Sequence, residues 1–413
     1  MELLITGAKI VDSEKNIYGD VYIRDGIIKE IGSNLNKDCQ VIDAKGLTLM
    51  PAFVDTHTHF REPGFTYKEN LMTGGMAAVK GGYTAVNLMP NTKPVCSSME
   101  IVNDIIKKSK KLGLVDVHQT VSITRNFSGD DISHIEDIRH PVRIITEDGN
   151  DVDDSKIMLS AMCKTKQLGL TIMVHCEDKE IAKEDSRLSE NLMSWRNIEL
   201  AKATECPIHI AHVSTKEAMG YIIDAKKENF AVTCEIMPHH IALTKEQEYK
   251  VNPPLRNEED INFIINAIKD GFVDTIGTDH APHSKEDKEK GAPGISGIET
   301  SFSVCYTTLV KNGHITLNKL SELMSRNPAK LMGFNKGLIS EGYDGDIVLV
   351  DLEAKHKVIS EDFASKGKNT PFDFMEFSGE VVTTVKGGHV VYDNGTWSLN
   401  EGKIILKNWW MSA

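Results

Sequence analysis

Two histidines separated by one residue, His57 and His59, are the first sign of chemistry in this sequence. They follow the apolar run LTLMPAFVD, so a strand over this segment would direct both side chains to the same face. Neutral imidazole is a common zinc ligand, and a catalytic zinc usually has three protein ligands and one open position. The pair therefore indicates a metal site, although two ligands are fewer than such a site needs.

Further polar residues lie where other apolar, β-branched runs end. Among them are Asp148, His175, His212 and Asp279, all of which are potential metal ligands. The eight predicted strands end at His57, Asn91, Thr124, Asp148, His175, His212, His239 and Asp279. If these strands are parallel neighbours, their polar ends meet at one face and can surround a cation.

Helical patterns separate several of the strands, and this alternation is typical of βαβ units with a parallel sheet. Helices are predicted over residues 99–112, 155–168, 215–228 and 257–270. Eight units favour an α/β fold of the (β/α)8 TIM-barrel type, in which the active site lies at the carboxyl ends of the strands. An open doubly wound sheet is the alternative, but no glycine-rich phosphate loop follows any strand.

Both ends of the chain have a different character and are rich in short strands. Residues 20–32 alternate apolar and polar around Asp25-Gly26, and a second hairpin turns at Gly387-Gly388. We therefore predict that residues 1–50 and 341–413 form one small β-sandwich, and that residues 51–340 form the barrel. Two separate β appendages are the alternative.

Composition excludes some classes of function. The net charge of −13 argues against a nucleic-acid partner, and no run of about 18 apolar residues suggests a membrane span. The start of the chain has no signal-peptide pattern, and the seven scattered cysteines contain no CxxC pair, so we expect a reducing, cytoplasmic location. An anionic substrate would need a local concentration of positive charge in such an acidic protein.

Seven motifs extend along the chain, beginning with HTHFREPG at residues 57–64. The others are NLMPNT at 87–92, IAHVST at 210–215, NPPLR at 252–256, GTDHAPH at 277–283, ISGIET at 295–300 and NPAKLMG at 327–333. Together they resemble the motifs of the dihydroorotases, within the amidohydrolase superfamily. The similarity covers essentially the whole chain, β-rich ends included.

The resemblance implies a set of metal ligands at the strand ends. This set consists of His57, His59, Asp148, His175, His212 and Asp279. The first two histidines and Asp279 would bind one metal, the other two histidines would bind a second, and an acid would bridge both. Relatives such as hydantoinases and allantoinases use a carboxylated lysine at the bridge, but this strand ends in Glu147 and Asp148 and has no lysine there. We assign the bridge to Asp148 and expect one or two zinc ions, with two favoured.

The reaction implied is the reversible cyclisation of N-carbamoyl-L-aspartate to L-dihydroorotate and water, in pyrimidine (UMP) biosynthesis. Metal-activated water would attack the ring carbonyl, with Asp279 as the general base and acid. Arg61 lies on the same strand face as His59, and its planar guanidinium suits the substrate carboxylate. The residues expected to contact substrate are His59, Arg61, Asn91, Asn252, His283, Pro293 and Gly294.

Other histidines near the strand ends are interpreted as structural. His239 and His240 are expected either to be a packing pair or to support the ligands from behind, and His209 to be a hydrogen-bonded core residue. His280, which alternates away from Asp279, has either a supporting or a structural role.

Two other functions remain open. An allantoinase or dihydropyrimidinase-like enzyme is the first, and the absent lysine and the presence of Arg61 count against it. A catalytically inactive scaffold that partners aspartate transcarbamoylase is the second, but such proteins usually lose metal ligands and none is lost here. A homodimer is the expected assembly. The segments between His175 and His212 and between His283 and Gly294 are shorter than expected for the family.

Overall fold

The computed structural model describes residues 1–399 and 402–405. The chain begins with the strands β1 (Glu2–Val11), β2 (Asn16–Arg24), β3 (Ile27–Gly32), β4 (Gln40–Asp43) and β5 (Thr48–Pro51). Strands β2 and β3 form an antiparallel hairpin that turns at Asp25 and Gly26. Both turn residues have positive φ, 52° and 79°, as a two-residue type I′ turn requires. The Asp-Gly signal therefore marks the hairpin as predicted.

Eight short parallel strands follow and form the barrel. They are β6 (Phe53–Thr58), β7 (Tyr83–Leu88), β8 (Asp116–Gln119), β9 (Ile144–Thr146), β10 (Thr171–Val174), β11 (Ile208–Ile210), β12 (Val232–Ile236) and β13 (Thr275–Ile276). Strands β6 to β8 pair in order, and so do β9 to β13. Single parallel bridges, Val121 to Ile145 and Thr58 to His280, join the two groups on both sides. The barrel is thus closed, and the predicted fold class is confirmed.

Helices cover the outside of the barrel. They are α1 (Leu71–Lys80), α2 (Met99–Leu112), α3 (Ser155–Leu168), α4 (Lys179–Ala182), α5 (Ser186–Thr204), α6 (Lys216–Lys227), α7 (Pro238–Ala242), α8 (Glu258–Lys269), α9 (Lys285–Glu289), α10 (Ser301–Cys305), α11 (Leu317–Ser321) and α12 (Asn327–Met332). Two π-helical segments, Tyr306–Lys311 and Glu322–Arg326, continue α10 and α11. Short 3-10 turns lie at Arg125–Phe127, Ser133–Asp137, Lys245–Gln247 and Ser360–Asp362. The four predicted helices correspond to α2, α3, α6 and α8.

Local sequence explains where these helices begin and end. The side chain of Asp154 accepts hydrogen bonds from the backbone N–H groups of Lys156 and Ile157 at the start of α3. The helix ends at Gly169, whose φ of 67° is the left-handed conformation that glycine adopts readily. Barrel strands such as β6 and β7 are buried along their whole length, because helices cover the outer face and side chains fill the interior. Among the described residues, no helix is long and apolar enough to cross a membrane.

The chain returns to the first sheet at its end, through β14 (Ile347–Lys357), β15 (Glu376–Lys386), β16 (His389–Asp393), β17 (Thr396–Leu399) and β18 (Gly402–Ile405). Strand β14 pairs antiparallel with β5, so both ends of the chain share one ten-stranded sheet. This sheet has a core of its own that includes Leu3, Ile23 and Ile347. It is tied to the barrel by Trp397, whose indole N–H donates to the carbonyl of Met76 in α1 at 2.9 Å. The domain limits at residues 50 and 341 stay a prediction.

Candidate active site

The carboxyl ends of the barrel strands surround a cavity of about 220 Å³. Its walls are formed by His59, Arg61, Asn91, Asp148, Gly149, His175, His212, Asn252, Asp279, Ala281, His283, Pro293 and Gly294. The structure thus brings together every residue that the sequence nominated, with one difference in position. His57 does not line the cavity but is fully buried, and it contacts the lining residue Asp148.

The first predicted metal group is compact. His57 and His59 occupy β6 and the position just after it, and their side chains converge on Asp279. The Nε2 atom of His59 lies 3.0 Å from Oδ1 of Asp279, and Nε2 of His57 lies 3.8 Å from the same oxygen. The ligand atoms of the three residues all lie within 4.8 Å of one another. Two imidazoles and a carboxylate at this spacing can hold one cation.

The second predicted group adjoins the first through Asp148. Nδ1 of His175 lies 2.7 Å from Nε2 of His212, and these two atoms lie 3.5 and 3.7 Å from Oδ1 of Asp148. The same carboxylate lies 3.2 Å from Nε2 of His57 and 3.5 Å from that of His59. Asp148 therefore sits among all four histidines, between the two groups.

Glu147, the neighbouring acid, has a different environment. Its carboxylate accepts hydrogen bonds from the backbone N–H of Thr124, at 2.9 Å, and from the hydroxyl of the same residue. Burial raises the pKa of Glu147 to about 7, although the hydrogen bonds with Thr124 oppose this shift. Of the two acids that end this strand, only Asp148 lines the cavity.

The backbone is strained where two of the ligands leave their strands. His212 has a φ of 34° and Asp279 a φ of 46°, values that residues other than glycine adopt at a cost of about 1–3 kcal/mol. Such strain persists where the surrounding structure requires a particular side-chain direction. At both positions it turns the side chain toward the cavity.

The electrostatics of the site keep its carboxylates charged. Burial alone would raise the pKa of Asp148, but the charge of His57 and the hydrogen bonds with His175 and His212 lower it well below the usual value. The pKa of Asp279 is also lowered, because its hydrogen bond with His59 and the nearby imidazoles outweigh the effect of burial. Two anionic carboxylates among four imidazoles form a suitable donor set for a divalent cation. Consistent with this, the buried Nε2 atom of His57 faces Asp148 and Asp279 at 3.2 and 3.8 Å but has no hydrogen bond of good geometry among the described residues.

Each of three candidate histidine ligands has a second ring nitrogen that points away from the cluster, and each of these nitrogens contacts a polar side chain. Nδ1 of His57 lies 2.7 Å from Oε1 of Glu235, and Nδ1 of His59 lies 3.0 Å from Oδ1 of Asn91. Nε2 of His175 lies 3.1 Å from Oε2 of Glu177, which also accepts a hydrogen bond from the amide of Asn252. An imidazole that donates from one nitrogen presents the lone pair of the other, as a metal ligand must.

Sequence reasoning missed Glu235 and Glu177. A signal for the first was available, because Glu235 is a carboxylate within the otherwise largely apolar strand VTCEI. A charged residue that is fully buried in a barrel strand needs a partner, and such partners cluster at functional sites. Glu177 follows His175 by two residues and so shares its side of the chain, which was also a usable signal.

A second wall of the cavity contains Arg61 and His283, and Lys68 lies beside it. A guanidinium nitrogen of Arg61 lies 3.3 Å from Nε2 of His283, and Nζ of Lys68 lies 3.3 Å from its Nδ1. Burial and these two cations lower the pKa of His283 to about 3, so the ring is neutral. The backbone of Gly294 closes this wall, where a Cβ atom would lie only 2.7 Å from the carbonyl oxygen of Ala281.

His209, His239 and His240 do not line the cavity and contact neighbouring residues of the barrel. Nδ1 of His209 lies 2.8 Å from the hydroxyl of Thr233, and Nε2 of His240 lies 2.9 Å from the carbonyl oxygen of Pro253. The rings of His239 and His240 pack with their centroids 4.3 Å apart.

Comparison with known proteins identifies relatives of this chain. A family model described as "Amidohydrolase family" matches residues 48–391. A dihydroorotase of Clostridium botulinum (strain Eklund 17B / Type B) is 51% identical over 396 residues, which cover 95% of this chain and 100% of that protein. A dihydroorotase of Acetivibrio thermocellus is 38% identical over 94% of this chain and 98% of its own length. Among solved structures, the L-hydantoinase (dihydropyrimidinase) of Arthrobacter aurescens has a TM-score of 0.88 at 26% identity, over 96% of this chain and 97% of that chain.

Proposed function

Since the chain belongs to the amidohydrolase family, we propose that it catalyses the dihydroorotase reaction, the reversible cyclisation of N-carbamoyl-L-aspartate to L-dihydroorotate and water. One observation carries the choice of substrate within the family. Arg61, a cation, and His283, a neutral imidazole that can donate one hydrogen bond, line the same cavity as the histidine cluster. A cyclic amide that carries a carboxylate fits such a cavity, with the ring carbonyl toward the histidines and the carboxylate toward Arg61.

We further propose that the cluster binds zinc, with two ions per chain. His57, His59 and Asp279 would hold one ion, His175 and His212 the second, and Asp148 would bridge them. The proposal is supported by two overlapping groups whose ligand atoms lie within 4.8 Å of one another, His57 with His59 and Asp279, and His57 with Asp148 and His212. His175 adjoins the second group through His212 and Asp148, and imidazole is a preferred zinc ligand. Zinc, when bound, polarises the amide carbonyl and lowers the pKa of water from 15.7 toward about 7.

Asp279 is the proposed acid and base. Its carboxylate is anionic at neutral pH and lies 3.0 Å from His59 within the cluster, so it is placed to accept the proton of the attacking water. The same carboxyl group then returns the proton to the ring nitrogen as the amide bond breaks. In the biosynthetic direction the carboxyl group that reacts first takes up a proton from solvent. Asp279 then takes a proton from the attacking carbamoyl nitrogen and returns it to the departing hydroxyl oxygen, which leaves as water.

The other residues bind and orient the reactants. Arg61 and His283 would bind the carboxylate, and Asn91 and Asn252 would contact the ring from positions that also touch His59 and His175. Pro293 and Gly294 line the same wall, and backbone groups there would hydrogen-bond the ring.

A dihydropyrimidinase-like activity is the second candidate, because a solved structure of that description shares the fold. Purified protein should be assayed with L-dihydroorotate, dihydrouracil and allantoin, with zinc measured on the same sample. We expect one to two zinc ions per chain and hydrolysis of dihydroorotate. If zinc-loaded protein opens allantoin or dihydrouracil and leaves dihydroorotate intact, the proposed function is wrong.

We also propose a homodimeric enzyme of the cytoplasm. Helix α5 exposes Leu188, Leu192 and Trp195, which lie three to four residues apart on one face and are 40–53% accessible. All seven cysteines are free thiols, as a reducing compartment would keep them. Light scattering of the purified protein gives the mass in solution. Turnover by the isolated protein would exclude an inactive scaffold that partners aspartate transcarbamoylase.

A further inference from the structure

Lys68 contacts His283, which lines the cavity with Arg61, but does not itself line the cavity. We propose that Lys68 is a positioning residue, which holds His283 in the tautomer that donates a hydrogen bond from Nε2 to the substrate carboxylate. This inference rests on the proposed function, in which Arg61 and His283 bind that carboxylate.

The contacts of His283 are unusual, because cations face both of its nitrogens. Arg61 lies 3.3 Å from Nε2, and Lys68 lies 3.3 Å from Nδ1. Guanidinium and ammonium groups can only donate hydrogen bonds, whereas a neutral imidazole has one acceptor nitrogen and one N–H. His283 can therefore accept from only one of the two cations.

The position of the cavity shows which of the two cations should donate to His283. Arg61 and His283 both line the cavity, so an anion that binds there meets Nε2 of the imidazole. If Lys68 donates to Nδ1, the proton lies on Nε2, and the imidazole and the guanidinium form a pair of donors. If Arg61 donates to Nε2 instead, the proton lies on Nδ1, and His283 has no N–H group with which to bind the anion. The competition between the two cations thus determines whether the wall is ready for a carboxylate.

The surroundings hold Lys68 in place for this role. Nζ lies 3.3 Å from Oδ2 of Asp287 in α9, and the side chain is only 16% exposed. The ammonium also lies over the rings of Phe65 and Tyr67, at 5.8 and 5.6 Å from their centroids. Asp287 itself lies 3.9 Å from Nδ1 of His283.

The charge around His283 is consistent with a neutral ring. The charged groups that face it are Arg61, Lys68, Lys288 and Asp287. Three of the four are cations, which together with burial keep the imidazole unprotonated over the whole physiological range. The tautomer, and not the charge, is then the variable that Lys68 controls.

Steady-state kinetics of Lys68→Met, which keeps the length of the side chain and removes its charge, test this inference. We expect KM for L-dihydroorotate to rise about tenfold, with kcat changed less than twofold, since one charge-assisted hydrogen bond to the carboxylate is lost. Lys68→Arg should restore most of the affinity. Asp287→Asn is the matched control, because it breaks the same ion pair with Lys68 but leaves the contact with His283 in place. Asp287→Asn should raise KM less than Lys68→Met does. An unchanged KM for Lys68→Met, or a rise that Lys68→Arg does not reduce, would overturn the inference.

The tautomer can be observed directly by NMR of the 15N-labelled imidazoles, with His283→Gln to assign the signal. Wild-type protein should show the proton of His283 on Nε2, and Lys68→Met should show it on Nδ1. An unchanged tautomer in Lys68→Met refutes the role of Lys68. This measurement does not require turnover, so it can be interpreted even if the wild-type protein proves inactive on dihydroorotate, a result that would count against the proposed function alone.

Discussion

Replacing Glu235 by glutamine should weaken zinc binding and leave the fold intact. Glu235 lies in β12 with no exposed surface, and its Oε1 atom is 2.7 Å from Nδ1 of His57. Its carboxylate also accepts a hydrogen bond from the hydroxyl of Thr56 and lies 3.5 Å from Nε2 of His209. Glutamine keeps the size and one oxygen acceptor but removes the negative charge that makes His57 a more basic ligand.

The expected loss of zinc affinity can be worked out from the contact between Glu235 and His57. Loss of a carboxylate that supports a ligand histidine typically reduces metal affinity or activity by about 10–100-fold, which corresponds to about 1.4–2.8 kcal/mol. Because glutamine can still accept from Nδ1 of His57, we expect the lower end, about tenfold. Glu235→Ala should approach the upper end, since it also leaves the imidazole N–H without an acceptor.

The assay is zinc retention in competition with a chelator at fixed free zinc, with metal content measured per chain. Thermal unfolding of the metal-free proteins separates an effect on the fold from one on the metal. Glu299→Gln is a suitable control, because the Glu299 side chain is 3% exposed and pairs with Lys80 at 2.8 Å, away from the histidine cluster. Zinc retention by Glu235→Gln equal to that of wild type, or no weaker than that of Glu299→Gln, would refute the reasoning.

Four other predictions concern the site and the sheet. Asp279→Ala should keep its circular dichroism spectrum but lose about 10²–10⁴-fold in kcat, and near-normal turnover would remove Asp279 from the mechanism. Asp148→Ala should bind less zinc per chain by metal analysis, and unchanged stoichiometry would argue against a bridge there. Arg61→Lys should raise KM for dihydroorotate about tenfold at unchanged zinc content, since a lysine cannot bind the carboxylate with two parallel hydrogen bonds. Trp397→Ala should lower the free energy of unfolding by about 3–5 kcal/mol in urea titrations, and a loss below 1 kcal/mol would mean that the contact with Met76 contributes little.

Sequence reasoning located the helices better than the strands. The predicted bounds of helix α3 agree with the structure, because its helical pattern is a local property of the sequence. The structure adds that Asp154 and Gly169 cap its two ends. The strands were expected to continue to the polar residues, but β9 ends at Thr146 and β13 ends at Ile276. The pattern of apolar residues does not show where hydrogen bonding between strands stops. The candidate ligands Asp148 and Asp279 therefore lie in the loops just beyond the strands.

The sequence by itself determined the class of fold, the family resemblance and which residues should gather at the site. It could do so because periodicity, turn signals and short motifs are properties of neighbouring residues. Only the tertiary structure decided which atoms face one another. Glu235 and His57 are 178 positions apart, and Lys68 and His283 are 215 apart, so these contacts exist only because the barrel closes and its loops fold over one end. The direction of Asp148 toward the histidines, and of Glu147 toward Thr124, likewise depends on the packing of neighbouring strands and not on the order of two adjacent acids.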